Sequence, residues 1–321
     1  MKIMTIAFLG RMGQWGNQIF QYAFARTYAR KHGLAYQVPP WVGQYFFGHV
    51  DPPVTQELPA RAERYSKVPY EACFGVPQLP RGDEYAGHDF RGYAQYHTSY
   101  YAPEREVIQS LYTALIDPEA ARMQPALEHL HQLGNTIISL HIRRADAGRM
   151  IYHLTPVSWY KQWLAENWQR FDKPVLFIAT EDLALVPQFA EYRPVLVENL
   201  GITLRAELYP KDDIPAKQID LNPPIPRRLD YFPDWWVLAN SDVIVASDST
   251  FSFSAAWVNR GLQEFWQSHL SQRGVVQLDP WDCPVSPREH IDEFSGVPGT
   301  QLDSNPYWES NYKPGTKAVS E

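Results

Sequence analysis

Cysteine is nearly missing: Cys73 and Cys283 are the only two among 321 residues. They stand alone, with no C-x-x-C pair. Neither a disulfide framework nor a zinc site is expected, and the usage fits a reducing compartment. Long apolar runs are missing too, since no stretch approaches the ~20 residues that a membrane-spanning helix needs. The apolar run at residues 3–9 is followed by Gly10, Arg11 and further glycine. A signal peptide would place small residues and a cleavage site there. A cytoplasmic protein is the expectation. Positive charge is in deficit: the net charge is −7 and the pI is near 5.8. No broad basic field exists to hold a nucleic acid, so any anion site has to be local. No D-x-D pair or metal-ligand cluster stands out, and no metal is expected.

What is present is an ordinary globular composition, 45% hydrophobic and 20% charged, at a length that suits about two domains. Aromatic residues are abundant, with 11 Trp, 19 Tyr and 15 Phe. That suits a binder of sugars, whose C–H faces pack on rings, and equally an aromatic-rich core.

The most informative stretch is residues 135–149, NTIISLHIRRADAGR. Its β-branched run reads as a buried strand over Thr136–Ile142. Alternation puts Ser139, His141 and Arg143 on one face and Leu140, Ile142 and Arg144 on the other. At the carboxyl end of a parallel strand such a cluster points into a ligand crevice. Arginine suits a phosphate there, held by parallel charge-assisted hydrogen bonds. The alternative is a structural ion pair between Arg144 and Asp146.

The rest of the chain alternates strand and helix. Residues 3–9 read as a first strand. Gly10, Gly13 and Gly16 punctuate a turn, and a helix begins near Asn17 or Gln18 and closes at Gly33. Its buried stripe is Ile19, Phe20, Ala23, Phe24, Thr27 and Tyr28. A strand, a glycine-rich turn and a helix start either present free N–H groups to an anion or form a plain turn. Residues 37–101, rich in proline and aromatics, read as loops that carry specificity. Helices follow from Pro103 and from Asp117-Pro118 to about Leu133. After Thr136–Ile142 come a helix from Thr155-Pro156, a strand at 175–179, a short helix to about Ala190 and a strand candidate at 194–197. Next are a helix over 232–239, a strand at Val243–Ala246, a helix capped by Ser247–Thr250 and a last strand at 275–278. Alternation of this kind implies parallel sheets with helices on both faces. The expected organisation is two facing Rossmann-like units: 1–134, 135–299, and a weakly ordered or surface-draped tail over 300–321.

Three separated stretches carry a resemblance. They are Gly10-Arg11-Met12 followed by Gly16-Asn17-Gln18-Ile19-Phe20-Gln21-Tyr22; Gly92-Tyr93-x-Gln95; and His141-Ile142-Arg143-Arg144-x-Asp146, with Ser249-Thr250-Phe251-Ser252 downstream. In this order they resemble the bacterial α-1,2-fucosyltransferases, glycosyltransferase family 11. H-x-R-R-x-D is shared more widely with α-1,6- and protein O-fucosyltransferases. The resemblance implies the GT-B fold and an inverting, metal-independent transfer of L-fucose from GDP-β-L-fucose to an acceptor glycan, forming an α-1,2 linkage. A different GDP-sugar, a protein or lipid-linked acceptor, or an inactive carbohydrate-binding relative are the alternatives. No nucleic-acid partner is implied, and at most peripheral membrane contact.

By resemblance, Arg143 stabilises the departing diphosphate and His141 lies against the nucleotide. Arg144, Ser249, Thr250, Phe251 and Gly16 belong to the donor site. Asp234 reads guanine, or simply starts a helix. Asn17 lies near the reaction centre, or caps a helix. Tyr93, Gln95 and Tyr96 line the acceptor side, or belong to the core. Asp146 and His153 are the candidates for the general base. The chain departs from the family in Gly13-Gln14-Trp15, three extra residues in the turn. Ala145 and Ala147 replace a glycine and an aromatic. Asp248 stands where an asparagine is usual.

Overall fold

The computed structural model describes residues 2–66, 75–116, 121–144, 147, 153–202 and 230–289. Two sheets organise it. The first has four short parallel strands in the order β2-β1-β4-β3, formed by β1 (Ile3–Thr5), β2 (Ala35–Gln37), β3 (Ala60–Ala62) and β4 (Asp89–Arg91). The second has the order β6-β5-β7-β8-β9. Its strands are β5 (Thr136–Ile142), β6 (Pro174–Thr180), β7 (Val243–Ala246), β8 (Glu264–His269) and β9 (Gly274–Leu278). β5 to β8 run parallel and β9 returns antiparallel to β8.

The first strand stops at Thr5, short of the expected residue 9. The chain instead tightens into turns closed by Leu9 N–H to Ile6 O and Arg11 N–H to Phe8 O. Gly10 and Gly13 sit at φ +82° and +77°, where a side chain is strained. Helix α1 (Trp15–His32) follows, starting two residues earlier than expected. Gly33, at φ +61°, ends it. Only one stripe of α1 was expected to be buried. Between residues 15 and 25, however, only Asn17 escapes burial, because the helix has the first sheet on one side and a helix of the second unit on the other.

Residues 37–101 hold more regular structure than their proline content suggests. α2 (Val42–Phe47) lies there, together with β3 and β4. Next come α3 (Arg105–Ser110) and α4 (Gln124–Leu133). The expected start of α4 at residues 117–118 lies outside the described residues, as does the tail.

In the second unit α5 (Val157–Asn167), α6 (Phe232–Leu238) and α7 (Thr250–Val258) occupy the expected places. The expected short α-helix is a 3-10 helix, Leu183–Tyr192, with Pro187 inside it. Residues 194–197 contribute one bridge, Val195 to Phe177, rather than a strand. β8 went unread in the sequence. On β5, Ile138, Leu140 and Ile142 pack with Tyr160, Trp163 and Leu164 of α5. Its opposite face meets α7.

A single hydrophobic cluster runs from the first sheet through α1 into α6 and α7. Phe20 stacks on Trp257 at 4.6 Å, and Trp15 meets Trp235 edge-on at 5.3 Å. Stacks of this kind add roughly 0.5–1.5 kcal/mol beyond burial. Residues after β9 return to the first unit: Thr98 Oγ1 donates to the Cys283 carbonyl at 2.9 Å. Among the described residues no helix is long and apolar enough to cross a membrane.

Candidate active site

β5 and β7 end side by side, and the junction is tied by hydroxyls. Tyr160 OH donates to the His141 carbonyl at 2.9 Å and lies 2.7 Å from Ser247 Oγ. Ser247 Oγ accepts from the Arg143 backbone N–H at 3.0 Å. The chain leaves β5 at Arg143 with its direction fixed. The half-buried guanidinium of Arg143 reaches the start of α7, where Nη1 lies 3.5 Å from the Asp248 carbonyl.

Ser249 caps α7, accepting from Phe251 N–H at 3.3 Å. One turn in, Ser252 Oγ lies 2.8 Å from His141 Nδ1. The Phe251 ring sits 5.2 Å from the imidazole. Burial first, then the Arg143 and Arg144 charges, push His141 down to about 3. It is neutral at physiological pH, a hydrogen-bonding group and not a proton shuttle.

Helix α1 brings its own start to the same place. At Gly16 an added Cβ would lie 2.4 Å from the Thr250 carbonyl oxygen and 2.7 Å from Phe251 N. Only glycine lets the two backbones approach so closely. Two helix N-termini therefore converge beside Arg143, and each carries partial positive charge. Neither has an acidic residue in its first turn.

The motifs of the first unit interlock. Gln21 Nε2 donates to the Gly92 carbonyl at 2.9 Å. Gln95 Nε2 donates to Asn17 Oδ1 at 2.5 Å. A Cβ on Gly92 would strike Glu63 at 2.4 Å. Glu63 accepts from Tyr65 OH at 2.6 Å, Tyr93 N–H at 3.0 Å and Ala94 N–H at 3.1 Å. The Glu63 carboxylate thus shapes the loop that carries Tyr93 and Gln95.

Other expected site residues fall in different places. Arg144 donates through Nη1 to the Arg143 carbonyl and through Nη2 to the Thr155 carbonyl, at 2.9 and 3.1 Å. These bonds pin the strand end, and its own N–H donates to Glu181. Asp146, its alternative partner, lies outside the described residues. His153 is buried, with Nε2 3.0 Å from Ser268 Oγ. Burial first pushes it down to about 4. Tyr96 is fully buried beside Phe24 and Tyr100. It is a core residue, not part of an acceptor wall, whereas Tyr93 is exposed. Asp234 stands in the first turn of α6, near Glu181, Glu198 and Asp230; burial first and these charges second push it up to about 8.

Sequence reading missed four participants. Asp248, noted only as a departure, is buried and accepts from Ser286 Oγ at 2.9 Å and Gln267 Nε2 at 3.3 Å. Burial pushes its carboxyl up to about 6, against Ser286 and the Arg143 and Arg288 charges. Glu63, Ser286 and Arg288 carry no motif. Only the fold brings Ser286 and Arg288, some forty residues beyond Asp248, back to the site.

No protein-family model matches the sequence, and no curated protein matches it. Solved structures do. NodZ, an α-1,6-fucosyltransferase from Bradyrhizobium, superposes with a TM-score of 0.51 in crystals soaked with GDP-fucose. The match covers 87% of this chain and 99% of NodZ at 14% identity. NodZ co-crystallised with GDP gives a TM-score of 0.50, covering 87% and 98% at 14% identity. At that identity the likeness is one of fold, and the chain has the GT-B fold, two facing Rossmann-like sheets.

Proposed function

We propose that this chain is an inverting fucosyltransferase, moving L-fucose from GDP-β-L-fucose to a hydroxyl of an acceptor glycan. The observation that carries the reading is Arg143, fixed at the end of β5 beside the converging starts of α1 and α7. The GT-B fold shared with NodZ supports it. The G-N-Q-x-F-Q-Y and G-Y-x-Q stretches favour an α-1,2 linkage, against the α-1,6 chemistry of NodZ.

In the proposed reaction an acceptor oxygen bonds to the anomeric carbon as the bond from that carbon to the β-phosphate oxygen breaks. GDP departs with the bonding pair, and negative charge grows on the diphosphate. Arg143 and the α7 N-terminus meet that charge in a fixed arrangement, where it is worth most. They supply the positive charge that a metal supplies in other transferases. His141 and Phe251 offer a neutral donor–acceptor group and a ring face to the nucleotide. Ser249 and Thr250 offer hydroxyls to the phosphates, Gly16 lets α1 close on them, and Arg144 holds the strand end. Asp234 is the proposed guanine reader.

Asn17, Tyr93 and Gln95 face the acceptor in this reading. For the acceptor proton we favour Asp146, three residues beyond Arg143, because His153 is committed to Ser268 in a buried network. The two lone cysteines support the cytoplasm, a reducing compartment, as the protein's location.

Calorimetric titration with GDP, GMP, ADP and UDP tests the donor site. GDP should bind wild type best, and Arg143→Ala should weaken it by roughly 10- to 100-fold. Failure of folded wild type to bind any nucleoside diphosphate would sink the reading. With GDP-fucose and a panel of glycans, NMR of the product gives the linkage. Asp146→Asn should cut turnover by about 100-fold or more while sparing GDP affinity.

A further inference from the structure

Arg288 lies in the segment that returns from β9 to the first unit. Its guanidinium has five N–H donors and no acceptor. Nη2 donates to Gln95 Oε1 at 3.3 Å. A guanidinium cannot face an amide nitrogen productively, so it dictates which end of the Gln95 amide turns toward it. The Gln95 nitrogen must then point the other way, where it donates to Asn17 Oδ1 at 2.5 Å. Asn17 has its oxygen committed and is left to present its NH2 group. Asn17 is also the one residue of α1 between 15 and 25 that is not buried, and it stands one residue from the contact of Gly16 with α7.

The origin of this chain of bonds is anchored in the second unit. Arg288 N–H donates to Ser286 Oγ at 3.2 Å, and Ser286 Oγ donates to Asp248 Oδ2 at 2.9 Å. Arg288 is held at φ +52°, a left-handed conformation that a residue with a side chain rarely takes. Asp248 suits this anchor as a carboxylate, because its two oxygens accept from Ser286 and Gln267. The path Asp248–Ser286–Arg288–Gln95–Asn17 crosses from the donor-side sheet to the acceptor-side helix.

We propose that Arg288 is a positioning residue for the transfer: through Gln95 it fixes Asn17 so that the carboxamide nitrogen, not the oxygen, faces the reacting groups. Asn17 then donates a hydrogen bond to a substrate oxygen and does not take the acceptor's proton. The proposal rests on the fucosyl-transfer reading.

Arg288→Met removes the donor at similar length, and Arg288→Lys restores one. With saturating donor and acceptor, kcat should fall roughly tenfold in Arg288→Met, with GDP affinity within about twofold of wild type. Arg288→Lys should recover most of the loss. Asn17→Ala should cost less in the Arg288→Met background than in wild type, since both act along one path.

Side-chain amide NMR reads the path without turnover. The NH2 resonances of Asn17 and Gln95, assigned from their alanine variants, should shift in Arg288→Met while that of Asn135, which precedes β5 at the end opposite Arg143 and donates to Asp172, stays in place. Unchanged kcat, additive losses, or a loss of GDP affinity in place of kcat would overturn the proposal, as would unmoved Asn17 and Gln95 resonances. Failure of wild type to bind GDP would strike the transfer reading instead. The amide resonances would still show whether Arg288 orients the two amides.

Discussion

Asp234 and His141 are displaced from their ordinary titration ranges in opposite directions, and each displacement has a consequence. Guanine offers two N–H donors on one edge, and a carboxylate is their natural acceptor. The Asp234 carboxyl, pushed up to about 8 by burial and by neighbouring carboxylates, holds its proton at neutral pH. Binding guanine requires that the proton leave. GDP affinity should therefore rise between pH 6 and 8, by up to about tenfold per unit, and level off above. Calorimetry in two buffers of different ionisation heat should register proton release. Asp234→Asn should abolish the slope, and a flat wild-type profile would remove Asp234 from the guanine site. His141 works in the opposite sense, on stability. Unfolded, it titrates near 6.5; folded, burial holds it near 3. Its contribution is present above pH 6.5 and is lost as pH falls toward 3. His153, held near 4 by burial, adds to the same slope. Asp248, raised to about 6, works the other way, and its contribution is lost as pH rises. His141→Gln should flatten the acid-side fall in the denaturation midpoint between pH 6.5 and 4, and an unaltered slope would deny the buried neutral imidazole its part.

At the scale of elements, the contact between α1 and α7 is the most sensitive point. A methyl group on Gly16 would meet backbone, not a flexible side chain, at 2.4 Å. Gly16→Ala should destabilise the fold by about 1–3 kcal/mol and lower GDP affinity by moving the start of α7. Denaturant melts and calorimetry on one preparation check both. An unperturbed variant would mean that the helices are further apart than described. The long elements of the second unit were legible because each carries a local signal. Thr136–Ile142 is a seven-residue β-branched run buried at every position, and Ser249 marks the start of α7 with a cap. Of the first sheet only β1 was read, and over 3–9 rather than Ile3–Thr5: the strands are three residues long, too short for alternation to register, and their pairing is a tertiary fact. β8 reads i-B-i-B-B-i in burial, but its Gln267 and Ser268 are buried polar residues that hide the pattern. The motif residues Asn17, Gly16, Gln95 and Arg143 could be found in sequence. Arg288 and Glu63 could not, because the partners that give them their part in the site, Gln95 and Tyr93, lie 193 and 30 residues away.

For the whole molecule, the decisive feature is that two sheets share one core. Phe20 of α1 stacks on Trp257 of α7 at 4.6 Å, and Trp257 meets Trp281 at 5.0 Å and Tyr101 at 5.2 Å. All four rings are buried in the cluster that also holds Met4 of β1 and Phe265 of β8. Chains of this length often unfold in steps, one domain at a time. Here neither sheet can lose its helices without stripping apolar surface from the other, so the described core should melt in one transition. Scanning calorimetry of the full chain should give a calorimetric enthalpy close to the van't Hoff enthalpy. Trp257→Ala, which empties the centre of the shared core, should cost about 3–5 kcal/mol and lower that single transition without splitting it. With the donor site proposed at the starts of α1 and α7, GDP should raise the same transition as a whole, because binding there requires both units to be folded. Two resolved transitions in wild type, with GDP shifting only one, would show that the units fold independently and that the donor is held by one of them alone.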